Sequence, residues 1–167
     1  EPWLRPLLWA RRATTRAACA ALDLPVWDDP HNVDPRYTRV RLRNEVLPLL
    51  EDVLAGGVAE ALARTAAQLR EDCDALDELA AGLLAAARDA HVGLVVDPLR
   101  TAHPALRRRA LRQWLLDEGV PELTDLHLRA ADDLIGRWRG QGAVRLPGGL
   151  DLLRRDGRLI IRREGSR

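Results

Sequence analysis

Ala143-Val144-Arg145-Leu146-Pro147-Gly148-Gly149-Leu150-Asp151-Leu152-Leu153-Arg154-Arg155-Asp156-Gly157-Arg158-Leu159-Ile160-Ile161-Arg162-Arg163 is the stretch that keeps this chain from being read as purely helical. Asp156-Gly157 between two apolar-rich runs is a strong signal for a two-residue hairpin loop. Pro147-Gly148-Gly149 marks a second turn, so the stretch predicts an antiparallel meander. Upstream the periodicity changes to that of helices. Pro104 to Glu118 places Leu106, Leu111, Trp114 and Leu115 inward, with Gly119 as its stop. Thr124 is placed to cap a second helix running to about Gly140, with Leu126, Ala130, Leu134 and Trp138 on one side. Leu94-Val95-Val96 is a short strand candidate. Residues 91–167 therefore predict a small strand–helix–helix–meander domain.

Residues 1–90 predict a helical linker region. Thr14 or Thr15 could cap a short helix with Ala18, Cys19 and Leu22 on its apolar face, ending near Asp23 because Pro25 disfavours helix before it. Residues 27–35 carry two prolines, three Asp and an Asn, and read as loop. A helical pattern runs from Tyr37 to about Leu54, with Val40, Val46, Leu47, Leu50 and Leu54 on one face and a kink or break at Pro48. After Gly56-Gly57 comes one long helix, about Val58 to Ala90. There Leu62, Leu69, Leu76 and Leu83 repeat every seven residues, with Thr65, Cys73 and Ala80 between them. That seam suits packing against the chain's own neighbours and leaves a homodimer through the helical region open. The fold class is α+β, mainly helical.

Composition limits what the chain can do. Its 167 residues are 47% hydrophobic and 31% charged, which suits a folded domain. No apolar run approaches the ~18 residues of a membrane span, and no secretory leader is visible, so a cytoplasmic location is expected. Methionine is absent and the chain begins Glu1-Pro2-Trp3, so a piece of a longer protein is expected. The net charge of +1 excludes a globally basic nucleic-acid binder and leaves only local clusters. The basic residues are all Arg, whose planar guanidinium grips phosphate with two hydrogen bonds.

Three such clusters stand out. Arg36-Tyr37-Thr38-Arg39-Val40-Arg41-Leu42-Arg43 gathers about three guanidiniums on one side in either an extended or a helical form, and Tyr37 offers a stacking surface. The alternative is a solvated helix start paired with Asp28, Asp29, Asp34 and Glu45. Arg107, Arg108 and Arg109 with Arg112 should mostly point away from the apolar face of their helix, as phosphate contacts or as a plain solvated surface. Arg145, Arg154, Arg155, Arg158, Arg162 and Arg163 decorate the hairpin, where a basic sheet face can track a nucleic-acid backbone. Glycine-rich nucleotide loops of the G-x-x-x-x-G-K-[ST] or G-x-G-x-x-G kind are missing. The one Ser lies in the tail, Cys19 and Cys73 with the four His match no metal spacing, and Asp28-Asp29 and Asp132-Asp133 read as a loop and a helix face. No metal site and no catalytic residue are assigned within the chain.

One set of motifs goes further. Arg5-Pro6-Leu7-Leu8, then Trp27-Asp28-Asp29-Pro30-His31-Asn32-Val33-Asp34, then Tyr37-Thr38-Arg39 and Leu42-Arg43 with Val46-Leu47-Pro48 resemble the tRNA(Ile)-lysidine synthetases in order and spacing. His103-Pro104-Ala105-Leu106-Arg107-Arg108-Arg109 and Leu146-Pro147-Gly148-Gly149 look like that family's small substrate-recognition domain. His31 replaces the usual Ser or Thr, and Val40 replaces an Asn. The resemblance implies an ATP-dependent ligase that joins lysine to C2 of the wobble cytidine of a CAU-anticodon tRNA(Ile). ATP and Mg would be held by an S-G-G-x-D-S loop that this chain lacks, so the chain alone is expected to be inactive. It also implies that Arg39 and Arg43 lie near the reaction centre or the tRNA. Arg5, Arg36, Tyr37, Arg41, Arg107, Arg108, Arg112, Arg154, Arg155 and Arg158 are further tRNA contacts on this reading. The alternative is a stand-alone RNA-binding or helical protein-interaction module without catalysis.

Overall fold

The computed structural model describes residues 4–7, 10–88 and 93–163. The chain divides into two compact units, 1–63 and 64–167, and the division falls inside the long helix. The linker-to-domain boundary expected near residue 90 lies outside the described residues, as do Leu8 of the Arg-Pro-Leu-Leu motif and the C-terminal tail.

The first unit is a string of short helical elements. Helix α1 (Arg12–Ala21) starts one turn before the expected cap: Arg11 is its N-cap, and the Thr15 hydroxyl donates back to the Arg12 carbonyl. Thr15 therefore sits inside the helix, where its hydroxyl satisfies the preceding turn. A 3-10 turn (Pro30–Asn32) follows, capped by Asp29, whose carboxylate accepts the His31 amide at 2.9 Å. The predicted Tyr37–Leu54 helix is one continuous run with a change of pitch. It comprises α2 (Thr38–Arg41), a π-helical turn (Leu42–Val46) and α3 (Leu47–Val53). Pro48 has no amide to donate and its ring crowds the carbonyl four residues back. The chain accommodates it by widening the turn, so that the Leu47 amide reaches Leu42 instead. The expected apolar face is open: Val40 is buried, but Val46, Leu50 and Leu54 are exposed.

Helix α4 (Val58–Ala87) spans 30 residues. Its first turn is held by Glu51, whose carboxylate accepts the Val58 and Ala59 amides at 3.1 and 2.8 Å. The heptad seam is buried only toward its C-terminal end: Leu62 and Leu69 are each 57% exposed, whereas Ala80 of the same seam is buried and Leu83 partly so. Packing uses Ala80, Leu84 and Ala87, with Leu83 partly buried, a stripe that follows 3.6-residue spacing over the last turns only.

The second unit closes around those turns. Strand β1 (Leu94–Val95) is shorter than expected, because Val96, after donating to the Gly157 carbonyl, opens a helix α5 (Val96–Thr101) that its β-branched start concealed. Gly93 precedes it at φ +84°, where a Cβ would lie 1.9 Å from the Leu159 carbonyl oxygen, so only glycine lets the chain pass. Helix α6 (Pro104–Asp117) ends in a Schellman motif, Gly119 donating to Leu116 and Val120 to Leu115, with both Val120 and Leu115 buried. Helix α7 (Asp125–Gly136) has the predicted Thr124 cap, completed by His127 as a capping box. It ends earlier than expected, and its inward face is Ala131, Leu134 and Ile135. Leu126 is 74% exposed, so the face assigned from sequence was rotated by about one residue.

Strands β2 (Val144–Leu146), β3 (Leu150–Arg155) and β4 (Arg158–Arg163) form the predicted meander, and the sheet order is β1-β4-β3-β2, antiparallel throughout. The register pairs Leu152 with Ile161 and Leu153 with Ile160. Alternation sends Leu146, Leu150, Leu152 and Leu159 into the core with Trp114, Leu111 and Leu99.

Candidate nucleic-acid interface

The Arg36–Arg43 strip forms on the π-widened helical run after the Asp29-capped turn. His31 Nδ1 lies 2.8 Å from Asp29, and its ring meets Tyr37 edge-on at 5.7 Å. Tyr37 in turn carries the Arg39 guanidinium 4.4 Å above its ring centre. The four arginines divide by partner. Arg36 makes a two-pronged pair with Asp34 (Nε 2.9 Å, Nη2 2.7 Å), which holds the Asp34 carboxyl below its ordinary range. Arg41 pairs with Glu45 at 3.1 Å. Arg39 and Arg43, one turn apart, are exposed and make no ion pair among the described residues. Asp29 also lies below the ordinary range, first because the His31 amide donates to it and only last because of the Arg39 charge. The local acids thus neutralise Arg36 and Arg41 and leave Arg39 and Arg43 available, with a ring beside them. Arg5 is exposed.

The second cluster is reorganised. Arg107 is 6% exposed and forms a two-pronged pair with the buried Asp132 of α7, Nη2 to Oδ2 at 3.1 Å, with Nη1 reaching the Ala102 carbonyl at 3.4 Å. It is a strut between helices and cannot meet an RNA, which corrects its assignment as a contact. It also accounts for Gly136, where a Cβ would lie 2.7 Å from Arg107 Nη2. Arg109 is tied to Asp77 at 2.6 Å and to the Cys73 sulfur at 3.6 Å. Arg108 is partly exposed and Arg112 exposed.

On the sheet, strand alternation separates the arginines. Arg154 belongs to the helix-facing side: it donates to the Leu134 carbonyl at 3.0 Å and stacks 5.0 Å over Trp138. Unlike Arg107 it is only partly buried and gives one of its five N–H groups to the helix layer, so the others are left for the RNA contact expected of it. The outer side presents Arg155 and Arg158 opposite one another beside the turn, Arg162 opposite Asp151, and Arg145 paired with Asp151 at 3.1 Å.

The helix layer also holds an open cleft of about 380 Å³ between α6 and α7, walled by Arg108, Arg129, Arg137 and Asp133 above the Arg107–Asp132 pair. Arg129 and Arg137 were missed in the sequence. Their only signal was an acidic residue four positions before each, Asp125 and Asp133, which reads as ordinary helix-surface pairing. Among the described residues no group of three or more His, Cys, Asp or Glu is placed to hold a metal, and no helix is long and apolar enough to cross a membrane.

Residues 94–160 match the family described as the TilS substrate binding domain. A tRNA(Ile)-lysidine synthase of Rhodococcus erythropolis is 58% identical over 172 residues, covering 99% of this chain and 52% of the relative. One from Nocardia farcinica is 58% identical over 168 residues, with 98% and 52% covered, and one from Mycobacterium tuberculosis is 53% identical over 175 residues, with 98% and 53% covered. The chain spans about half the length of these relatives. It belongs to the tRNA(Ile)-lysidine synthase family, and its residues 94–160 correspond to that family's substrate-binding domain.

Proposed function

We propose that this chain is the tRNA-contacting part of a lysidine-forming ligase. In the longer protein, ATP activates C2 of the wobble cytidine of a CAU-anticodon tRNA(Ile) by transfer of its adenylyl group to the C2 oxygen, releasing pyrophosphate. The lysine amine then forms the new C–N bond as the C–O bond to AMP breaks and the amine loses a proton. ATP and Mg are bound outside these residues, so the chain by itself catalyses nothing, and its place of action is the cytoplasm.

The observation that carries this reading is the pairing pattern of the strip. Two guanidiniums out of four, Arg39 and Arg43, are left without an ion pair, and one lies over the Tyr37 ring. A cation placed over a ring, next to an uncompensated one, suits a phosphate and a base better than it suits solvent. Residues 91–167 supply the recognition domain, and the outer arginines Arg155 and Arg158 add backbone contacts. Residues 1–90 link it to the rest of the protein, which their exposed apolar side chains support. Leu62 and Leu69 on α4 are available for a homodimer; a strict monomer by light scattering would remove that part.

The test uses the full-length protein. Arg39→Ala and Arg43→Ala should each lower lysidine formation by at least tenfold, whereas Arg36→Ala should lower it by much less. Equal rates for Arg39→Ala and the unaltered protein would overturn the site.

A further inference from the structure

The α6–α7 cleft has a built floor. Asp132 is drawn down by Arg107, which occupies both of its carboxylate oxygens. Arg108 is thereby left 3.9 Å from Oδ2, near enough to be attracted and too far for a hydrogen bond. On the opposite wall Arg137 stands 3.8 Å from Asp133, again beyond hydrogen-bond reach. Arg129 gives its Nε to Asp125 at 2.5 Å, and that bond leaves its two terminal nitrogens over. The walls and floor hold four arginines against two aspartates and no aromatic ring. A ligand seated here must be anionic and rich in acceptors, and it gains nothing from a flat ring. Arg137 and Asp133 also line an adjoining hollow with Arg139 and Gln141, so the positive lining continues along α7 past its C-terminus.

We propose that this cleft seats a backbone phosphate of the RNA, with Arg108, Arg129 and Arg137 donating to its oxygens and Arg139 meeting the next phosphate along the strand. The assignment rests on the tRNA-contacting reading above. A guanidinium fork matches a phosphate as it matches a carboxylate. A phosphodiester replaces the two overlong contacts with short ones, while Asp132 stays paired beneath. Gly136 keeps the floor in place, because a side chain there would push Arg107 off Asp132.

The experiment titrates the 167-residue chain into a labelled CAU-anticodon tRNA transcript at several salt concentrations and reads the dissociation constant by anisotropy. Arg108→Gln with Arg137→Gln should weaken binding about tenfold. It should also flatten the log–log salt dependence by about 0.7–0.9 for each phosphate that is no longer neutralised. Arg64→Gln with Arg70→Gln, exposed arginines of α4 away from the cleft, should change neither. Melting curves should stay near that of the unaltered chain, since the Arg108 and Arg137 side chains are 35% and 76% exposed. Unchanged binding in the cleft variant, with Arg39→Gln and Arg43→Gln weakening it, overturns the cleft and leaves the RNA reading standing. Equal weakening by the α4 control pair overturns the cleft in favour of diffuse charge. An unaltered chain that does not bind the tRNA at low salt overturns both. Inorganic phosphate shifting the Arg108 and Arg137 side-chain resonances, without an effect of these residues on RNA binding, reassigns the cleft to a small anion and overturns the proposal.

Discussion

Residues 64–167 and residues 1–63 are built on different principles. In the first of these, eighteen apolar side chains close into one core, and Arg107 and Asp132 are buried with each other. In the other, Val40 is the one buried side chain among the described residues, while Leu22, Trp27, Leu42, Leu49 and Leu54 are each more than half exposed. What shapes residues 1–63 is local: Asp29 on the 3-10 turn, Glu51 on the start of α4, Arg36 on Asp34, and Arg41 on Glu45. Short helices draw most of their stability from burying a face. This region has the helices without the burial, and it is where the candidate reaction-centre arginines sit. The closed region is a rigid platform that orients its arginines by packing.

The largest effect should come from breaking the polar part of the closed core. Arg107→Ala leaves Asp132 buried without its hydrogen-bonded partner, Arg108 being 3.9 Å away, and chemical denaturation should show a loss of about 3–5 kcal/mol. Arg107→Met with Asp132→Leu removes both charges and should return most of that stability. A double variant as unstable as the single one would mean that the pair contributes through geometry, not through charge satisfaction. The same contrast can be drawn with one chemistry at two places. Leu152→Ala, fully buried, should cost about 2–5 kcal/mol. Leu62→Ala, 57% exposed, should stay within about 0.5 kcal/mol. Similar losses for the two would show that residues 1–63 are closed in solution by contacts of their own.

The asymmetry also explains what was legible in the residues alone. The meander, its Asp-Gly turn, the Thr124 cap and the Gly119 stop were all readable, because each is set by neighbours within a few positions. The strip Arg36–Arg43 was readable as a cluster for the same reason. The heptad seam of α4 held only in part because a repeat says which residues share a stripe, not whether anything covers it; its end at Ala80 and Leu83 is covered together with Leu84 and Ala87, and its start at Leu62 and Leu69 is not. Arg107 failed because its partner lies 25 positions away on another helix, and an arginine triplet gives no sign of which member turns inward. Arg129 and Arg137 could not be joined to Arg108 before α6 and α7 were packed together. The division among Arg36, Arg39, Arg41 and Arg43 was invisible too, since the sequence supplied acids enough for any of them.

A smaller effect should follow from the caps of the closed region. Thr124→Ala removes an N-cap that accepts the His127 amide, and it should cost about 1 kcal/mol, read as a lowered unfolding midpoint with unchanged slope. Because α7 carries Asp132, a loss well above that range would show that the cap also sets the position of the buried pair.

The smallest effect, and the one most particular to the open region, concerns Glu51. Its carboxylate lies below its ordinary value because the Ala59 and Val58 amides donate to it, in that order, outweighing a small desolvation in the other direction. A carboxyl depressed in the folded state binds protons less readily there than in the unfolded chain. Its contribution is therefore complete above the unfolded value and is lost as the pH falls through the folded one. Stability of the α3–α4 junction should accordingly decline as the pH drops below about 4.5. Glu51→Gln should flatten that acid limb. Amide exchange at Val58 and Ala59 is the local measurement. In the unaltered chain their protection should fall with acid, and in the Gln variant it should be lower and nearly independent of pH. Protection that fell equally in both proteins would assign the acid response to another group, and the open region would then owe its helix start to something other than this carboxylate.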